Sequence, residues 1–138
     1  MDRYQQTFSI ILFYVGDLRK ITEHVGLITG HRILKCLGGV LKEHIGTSGI
    51  SARYTTNEII TVLPHSSLED ARRMLNEIKE DLRQRAIMQP KEYPRSCLDF
   101  CVKAGLAQAS KGSTLEGLVE QARREMETIA ELRCNRGG

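Results

Sequence analysis

The stretch Ile50–Pro64, ISARYTTNEIITVLP, restricts the fold of this chain more than any other. Two β-prone runs, Ile50–Tyr54 and Ile59–Pro64, flank the polar residues Thr55, Thr56, Asn57 and Glu58. Branched and aromatic residues on either side of a short polar break specify a β-hairpin. The break lacks the glycine that two-residue turns favour, which predicts a slightly longer loop. Glu58 at the tip has two readings. A polar turn residue is ordinarily solvated. A carboxylate at a hairpin tip can also stand at a catalytic centre.

The rest of the chain is long enough to bury a core around that hairpin. Its 138 residues are expected to form one domain, residues 1–138. Hydrophobic content of 41% and charged content of 27% belong to a soluble globular domain. A net charge of +3 does not supply the concentrated basic face of a nucleic-acid binder. With 5% aromatic residues and no Trp, platforms for stacking bases are scarce. No apolar run reaches membrane-spanning length, and MDRYQQ is not a signal peptide, so the expected location is the cytoplasm. Cys36, Cys97, Cys101 and Cys134 form no zinc pattern. Cys97 and Cys101 would lie roughly 13 Å apart along a strand, too far for a disulfide. His24, His31 and His44 match no metal-ligand spacing.

In chain order, Thr7–Val15 is a continuous apolar run and reads as a buried strand. Leu18, Ile21 and Val25 follow at helical spacing, ending at Gly26. Thr29 caps a second predicted helix with Ile33, Leu34, Leu37, Val40, Leu41 and Ile45 inward; Gly38-Gly39 inside it marks close packing or a weak point. Gly46–Gly49 is a loop by composition. After the hairpin, Ser66 and Glu69 fit a capping box for a helix with Leu68, Ala71, Leu75, Ile78 and Leu82 on its apolar side and a charged, solvated outer face. Residues 97–107 alternate as a strand that Gly105 is expected to bend. Ser113 and Glu116 fit a second capping box, opening a last helix that carries Leu115, Leu118, Val119, Ala122, Met126 and Ile129 inward. The expected class is α+β, with a mostly antiparallel sheet flanked by helices in the order β-α-α-β-β-α-β-α.

ARYTTNEIITVLP resembles the signature hairpin of GGDEF domains, the diguanylate cyclases, in which Arg-Tyr-Gly-Gly-Asp-Glu-Phe precedes an apolar strand ending in Leu-Pro. Arg53, Tyr54, Glu58, Leu63 and Pro64 agree with it. Thr55 and Thr56 replace the glycines, Asn57 the Asp and Ile59 the Phe. Gly30-His31 with Ile33-Leu34 is similar to the family's Gly-Asp-x-Val-Leu, and Arg133-Cys134-Asn135-Arg136 to its closing Gly-Arg-Asn. The element order is also the family's, so the resemblance implies the palm-like fold of nucleotide cyclases over nearly the whole chain.

The resemblance places metal ligands at Tyr14 and Asn57, guanine contacts at Thr22 and His31, and phosphate contacts at Ala130 and Cys134. None of these side chains is the family's own. A phenol with a pKa of about 10 is a poor Mg²⁺ ligand. Thr55 and Thr56 bring Cβ atoms where backbone must approach phosphate. The family's inhibitory product site, Arg-x-x-Asp, falls on the uncharged Gly46–Gly49. The expected function is therefore a catalytically inactive GGDEF-like module, not an enzyme and without cofactor. It would regulate through a protein partner, a neighbouring signalling domain or a homodimer, with no nucleic-acid or membrane partner. The alternative is a domain that binds GTP or cyclic di-GMP without turnover.

Overall fold

The structure, a computed structural model, describes residues 7–16, 37–55, 57–85 and 100–132. Its elements are β1 (Phe8–Val15), α1 (residues 37–45), β2 (Ile50–Thr55), β3 (Glu58–Pro64), α2 (Leu68–Arg85), β4 (Phe100–Gln108), α3 (Leu115–Arg124) and β5 (Glu127–Leu132). The strands form one sheet in the order β2-β3-β1-β4-β5, with every neighbouring pair antiparallel. This is the α+β arrangement expected. The first predicted helix and the Thr29 cap lie outside the described residues.

β1 sits in the centre because both its faces are apolar. Ile11, Phe13 and Val15 point to one face, where α1 and α2 cover them with Leu37, Leu41, Ala71, Leu75, Ile78 and Leu82. Ile10 and Leu12 point to the other, where α3 covers them with Leu118, Val119 and Ala122. Gly105 pairs with Leu12 on this second face. A Cβ there would stand 1.9 Å from the Ala122 carbonyl oxygen, so Gly105 admits the helix backbone instead of bending the strand. The irregularity of β4 lies between Val102 and Lys103.

Four further expectations are corrected. The last helix stops at Arg124, and Glu127–Leu132 is a fifth strand on the edge of β4, so Met126 and Ile129 are not helical. Ile129 still reaches the core, from β5. Leu115 and Leu68, assigned inward, are half exposed because each opens its helix at the rim. Both capping boxes differ. The α2 box is Ser67 with Asp70, each backbone N–H bonded by the other's side chain, one residue later than expected. At α3 only Thr114 caps, accepting from the Gly117 N–H at 3.0 Å, while Ser113 accepts from the Ser110 N–H. Of the two readings of Gly38-Gly39, close packing does not hold, since a Cβ at either meets no atom within 4 Å.

Candidate functional site

The hairpin is tighter than its composition suggests. β2 ends at Thr55, β3 begins at Glu58, and these two residues pair with each other. Register runs Arg53↔Ile59 and then Thr55↔Glu58, leaving Tyr54 as an extra residue in a bulge. A bulge raises local strand twist, which a glycine turn would otherwise supply. Asn57 closes the tip onto β1. Its backbone oxygen accepts from the Val15 N–H at 2.9 Å, and its side-chain amide donates to the Val15 oxygen at 3.3 Å.

Glu58 is therefore a strand residue and not a solvated turn residue. It is 6% exposed and pairs directly with Tyr14 across β1. Arg123, from the last turn of α3, donates to it twice: Nε to Oε2 at 3.1 Å and Nη2 to Oε1 at 2.9 Å. Thr55 donates its hydroxyl to Oε1 at 2.9 Å. The Arg123 hydrogen bonds hold the Glu58 carboxyl below its ordinary range against the opposing effect of burial, and Thr55 adds to them. The same pairing raises Arg123. The guanidinium carbon of Arg123 also lies 5.9 Å from the centre of the Tyr54 ring, within cation–π range. A bidentate guanidinium–carboxylate pair fixes both partners in direction as well as distance.

One transverse row of the sheet thus carries Thr55, Glu58, Tyr14, Lys103 and Thr128. Tyr14 and Asn57, predicted neighbours, are neighbours. Ala130 belongs to the same end of the sheet, two strands from Val15 through Val102, but it packs against the core beneath α1 and α2. Ile59 is buried in that core as well. Thr22, His31, Thr56 and Cys134 lie outside the described residues. Arg123 and Lys103 were not singled out by sequence. Arg123 stands 65 positions from Glu58, and a basic residue in a final helical turn has a local explanation in the helix dipole. Only the register of β1 against β4 brings Lys103 beside Tyr14.

Among the described residues no three His, Cys, Asp or Glu side chains gather as a metal cluster, and no helix is long and apolar enough to cross a membrane. A groove of about 600 Å³ between α2 and α3 is lined by Leu68, Arg72, Asn76, Leu106, Gln121 and Glu125. It contains none of the predicted site positions.

Comparison with known proteins agrees with this geometry. The sequence pattern described as "Diguanylate cyclase, GGDEF domain" matches residues 1–136. Diguanylate cyclase DgcP of Pseudomonas aeruginosa is 25% identical over 108 residues, 78% of this chain but 16% of that protein. The chain therefore spans a small part of that relative. The GGDEF domain of DgcB from Caulobacter crescentus, solved in complex with c-di-GMP, superposes with a TM-score of 0.71 at 17% identity, covering 86% of this chain and 68% of that one. Diguanylate cyclase SiaD of Pseudomonas aeruginosa, solved with its activator SiaC, gives 0.73 at 20% identity, covering 89% and 46%. These likenesses establish the palm-like fold.

Proposed function

Because this chain belongs to the GGDEF family of diguanylate cyclase domains, we propose that it is a catalytically inactive member. In this reading it acts as a regulatory or protein-interaction module of cyclic di-GMP signalling, in the cytoplasm. The observation that most supports this reading is the state of the hairpin acid. Joining two GTP molecules needs divalent metal to offset triphosphate charge and align the attacking hydroxyl. Mg²⁺ demands hard oxygen ligands in near-octahedral geometry and sheds water reluctantly. Glu58 is the one carboxylate at the hairpin tip, and both its oxygens are taken by Arg123 and Thr55. Asn57 spends its amide on Val15, and Tyr14 offers a phenol. This donor set does not suit the ion. Thr22 and His31 at the guanine positions, and Ala130 and Cys134 at the phosphate positions, add to the argument by their side-chain types.

Partners follow by analogy. SiaD is known with an activator protein, which favours a protein partner, a neighbouring signalling domain or a second copy as what this fold engages. A second reading, nucleotide sensing without turnover, is favoured by the DgcB domain, which holds c-di-GMP. Incubation with GTP and Mg²⁺ or Mn²⁺, read by mass spectrometry, should yield no cyclic di-GMP. Product above a no-protein control would sink the inactive reading. Calorimetry with GTP and with cyclic di-GMP separates the two readings: micromolar binding of either selects nucleotide sensing.

A further inference from the structure

We propose that Arg123 is a specificity-determining residue of the hairpin: its guanidinium is the resident cation of Glu58 and keeps divalent metal off that carboxylate. This rests on the inactive reading above and deepens it. The tip then rejects the ion by a charge built into α3, and not only by lacking ligands. The carboxylate is close to saturated. Its two oxygens offer about four lone-pair sites. Oε1 accepts from Nη2 of Arg123 at 2.9 Å and from the Thr55 hydroxyl at 2.9 Å, and Oε2 accepts from Nε of Arg123 at 3.1 Å. Oε1 is thus full, and Oε2 keeps one site beside the guanidinium. Mg²⁺ approaches its oxygen ligands to about 2.1 Å. An ion reaching Glu58 must therefore displace Arg123.

Three features oppose that displacement. The first is the seat of α3. A Cβ on Gly105 would stand 1.9 Å from the Ala122 carbonyl oxygen, and Ala122 is fully buried, so the helix is held against β4 one residue before Arg123. The second is the grip on the guanidinium. Its fork matches a carboxylate in direction as well as distance, and its carbon lies 5.9 Å from the centre of the Tyr54 ring. The third is charge. In the transverse row of Thr55, Glu58, Tyr14, Lys103 and Thr128, the one acid is already matched by Arg123, and Lys103 adds a second cation beside Tyr14. The exposed Glu120 attracts Arg123 as well, from its own turn of α3. A divalent ion at the row meets two positive side chains and one negative. Arginine suits this position because it keeps its charge at any ordinary pH.

Mn²⁺ binding, followed by the electron paramagnetic resonance signal of the free ion, tests the assignment. The parent and Glu58→Gln should bind Mn²⁺ alike, because the carboxylate is closed to the ion in the parent. Arg123→Met and Arg123→Gln should each bind it roughly tenfold more tightly than the parent or better, since affinity follows the charge count at the site. Arg123→Lys keeps the charge without the fork and should stay within about threefold of the parent. Adding Glu58→Gln to Arg123→Gln should abolish the gain, which locates it on the carboxylate. Mn²⁺ should also raise the melting temperature of Arg123→Gln and leave that of the parent unchanged, because a ligand of the folded state alone stabilises it. Neutral variants that bind no better than the parent, an Arg123→Lys that gains as much as they do, or a parent whose affinity falls on Glu58→Gln overturns the inference. Circular dichroism should show the Arg123 variants folded; for any that are not, the comparison of the parent with Glu58→Gln decides. A parent chain that made cyclic di-GMP while Glu58→Gln left its Mn²⁺ affinity unchanged would overturn the inactive reading and keep this one.

Discussion

The sheet face beneath α1 and α2 is closed by large side chains, Phe13, Leu41, Leu75 and Ile78, whereas beneath α3 the small residues Gly105, Ala107 and Ala122 share the contact with Ile10, Leu12, Leu118 and Val119. Large residues interlock at ordinary helix-to-sheet distance. Small ones let a single helix settle onto the strands, and that helix reaches only part of the face. β2 remains exposed along its length, and the polar chemistry of the hairpin collects at its end. A clasped acid on each face sharpens the comparison. On the α2 face, Glu127 bonds Arg72 and lies 3.6 Å from Lys79, with its side chain 37% exposed. On the α3 face, Glu58 bonds Arg123 with its own side chain 8% exposed. Exposed pairs contribute little, while removing one partner of a buried pair strands a charge. The α3 face should therefore be the sensitive one.

The strongest test of that contrast is Gly105→Ala. A methyl group directed at the Ala122 carbonyl must push α3 off the sheet. The expected loss is about 3 kcal/mol, the upper part of the usual range for overpacking, measured by urea unfolding. A loss below about 0.5 kcal/mol, the scale of a neutral surface change, would mean the close approach is not a constraint.

Arg123→Met comes next. It keeps much of the stem but leaves the buried Glu58 without its guanidinium. Because Arg123 is 40% exposed, the loss is expected at about 2 kcal/mol, below that of a fully buried pair. Glu58 is held below its ordinary value in the fold, so its contribution is complete above that value and disappears as pH falls through the folded one. The parent should lose stability steeply in acid, below about pH 4.5, the ordinary glutamate value. Arg123→Met should flatten that limb. An Arg72→Met variant on the opposite face should lose less than about 1 kcal/mol at neutral pH.

Restoring carboxylates tests the chemistry of the same face. Tyr14→Asp with Asn57→Asp should raise Mn²⁺ affinity, seen by calorimetry, yet give no cyclic di-GMP by mass spectrometry. Positioning and electrostatics carry most of phosphoryl transfer, and on the proposed inactive reading the guanine and phosphate positions still lack the side chains for it. The double variant should lose about 1–2 kcal/mol, because the carboxylate introduced in place of Tyr14 would face Glu58 across the ladder and the Asn57 amide bond to Val15 disappears. Product formation would show that metal ligands were the only deficit.

The smallest effects belong to the opposite face and carry the opposite sign. Gly38→Ala and Gly39→Ala should each stabilise α1 by about 0.5–1 kcal/mol, since the new methyl meets open space. Thermal melts of the two variants beside Gly105→Ala would show one substitution type with two signs.

The strands of the inner sheet were legible because their apolar runs are unambiguous. Phe8–Val15 and Glu58–Pro64 leave no helical alternative. β5 was not legible, because Ala122, Met126 and Ile129 happen to continue a helical spacing. Glu127–Leu132 is written in residues that suit helices, and only the free edge of β4 recruits it as a strand. At the site, the nearness of Tyr14 to the hairpin came from the family resemblance, which puts Tyr14 and Asn57 at one metal site. The clasp on Glu58 did not, since no local pattern links a hairpin acid to an arginine in a distant helix. The turn length was misjudged for a related reason: a bulge at Tyr54 does the work that composition assigned to glycine.

Gly49 carries a consequence of its own. A Cβ there would stand 2.4 Å from the Val62 carbonyl oxygen and 2.9 Å from the Leu63 side chain. It is the last position of the tetrad where the family resemblance puts the Asp of an inhibitory product site. Writing Arg and Asp back into Gly46 and Gly49 would not by itself create such a site, because the Val62 carbonyl of β3 occupies the room the aspartate Cβ requires. The route to a charged tetrad in this chain therefore begins in β3, with a change that draws the strand back, and only then in the loop.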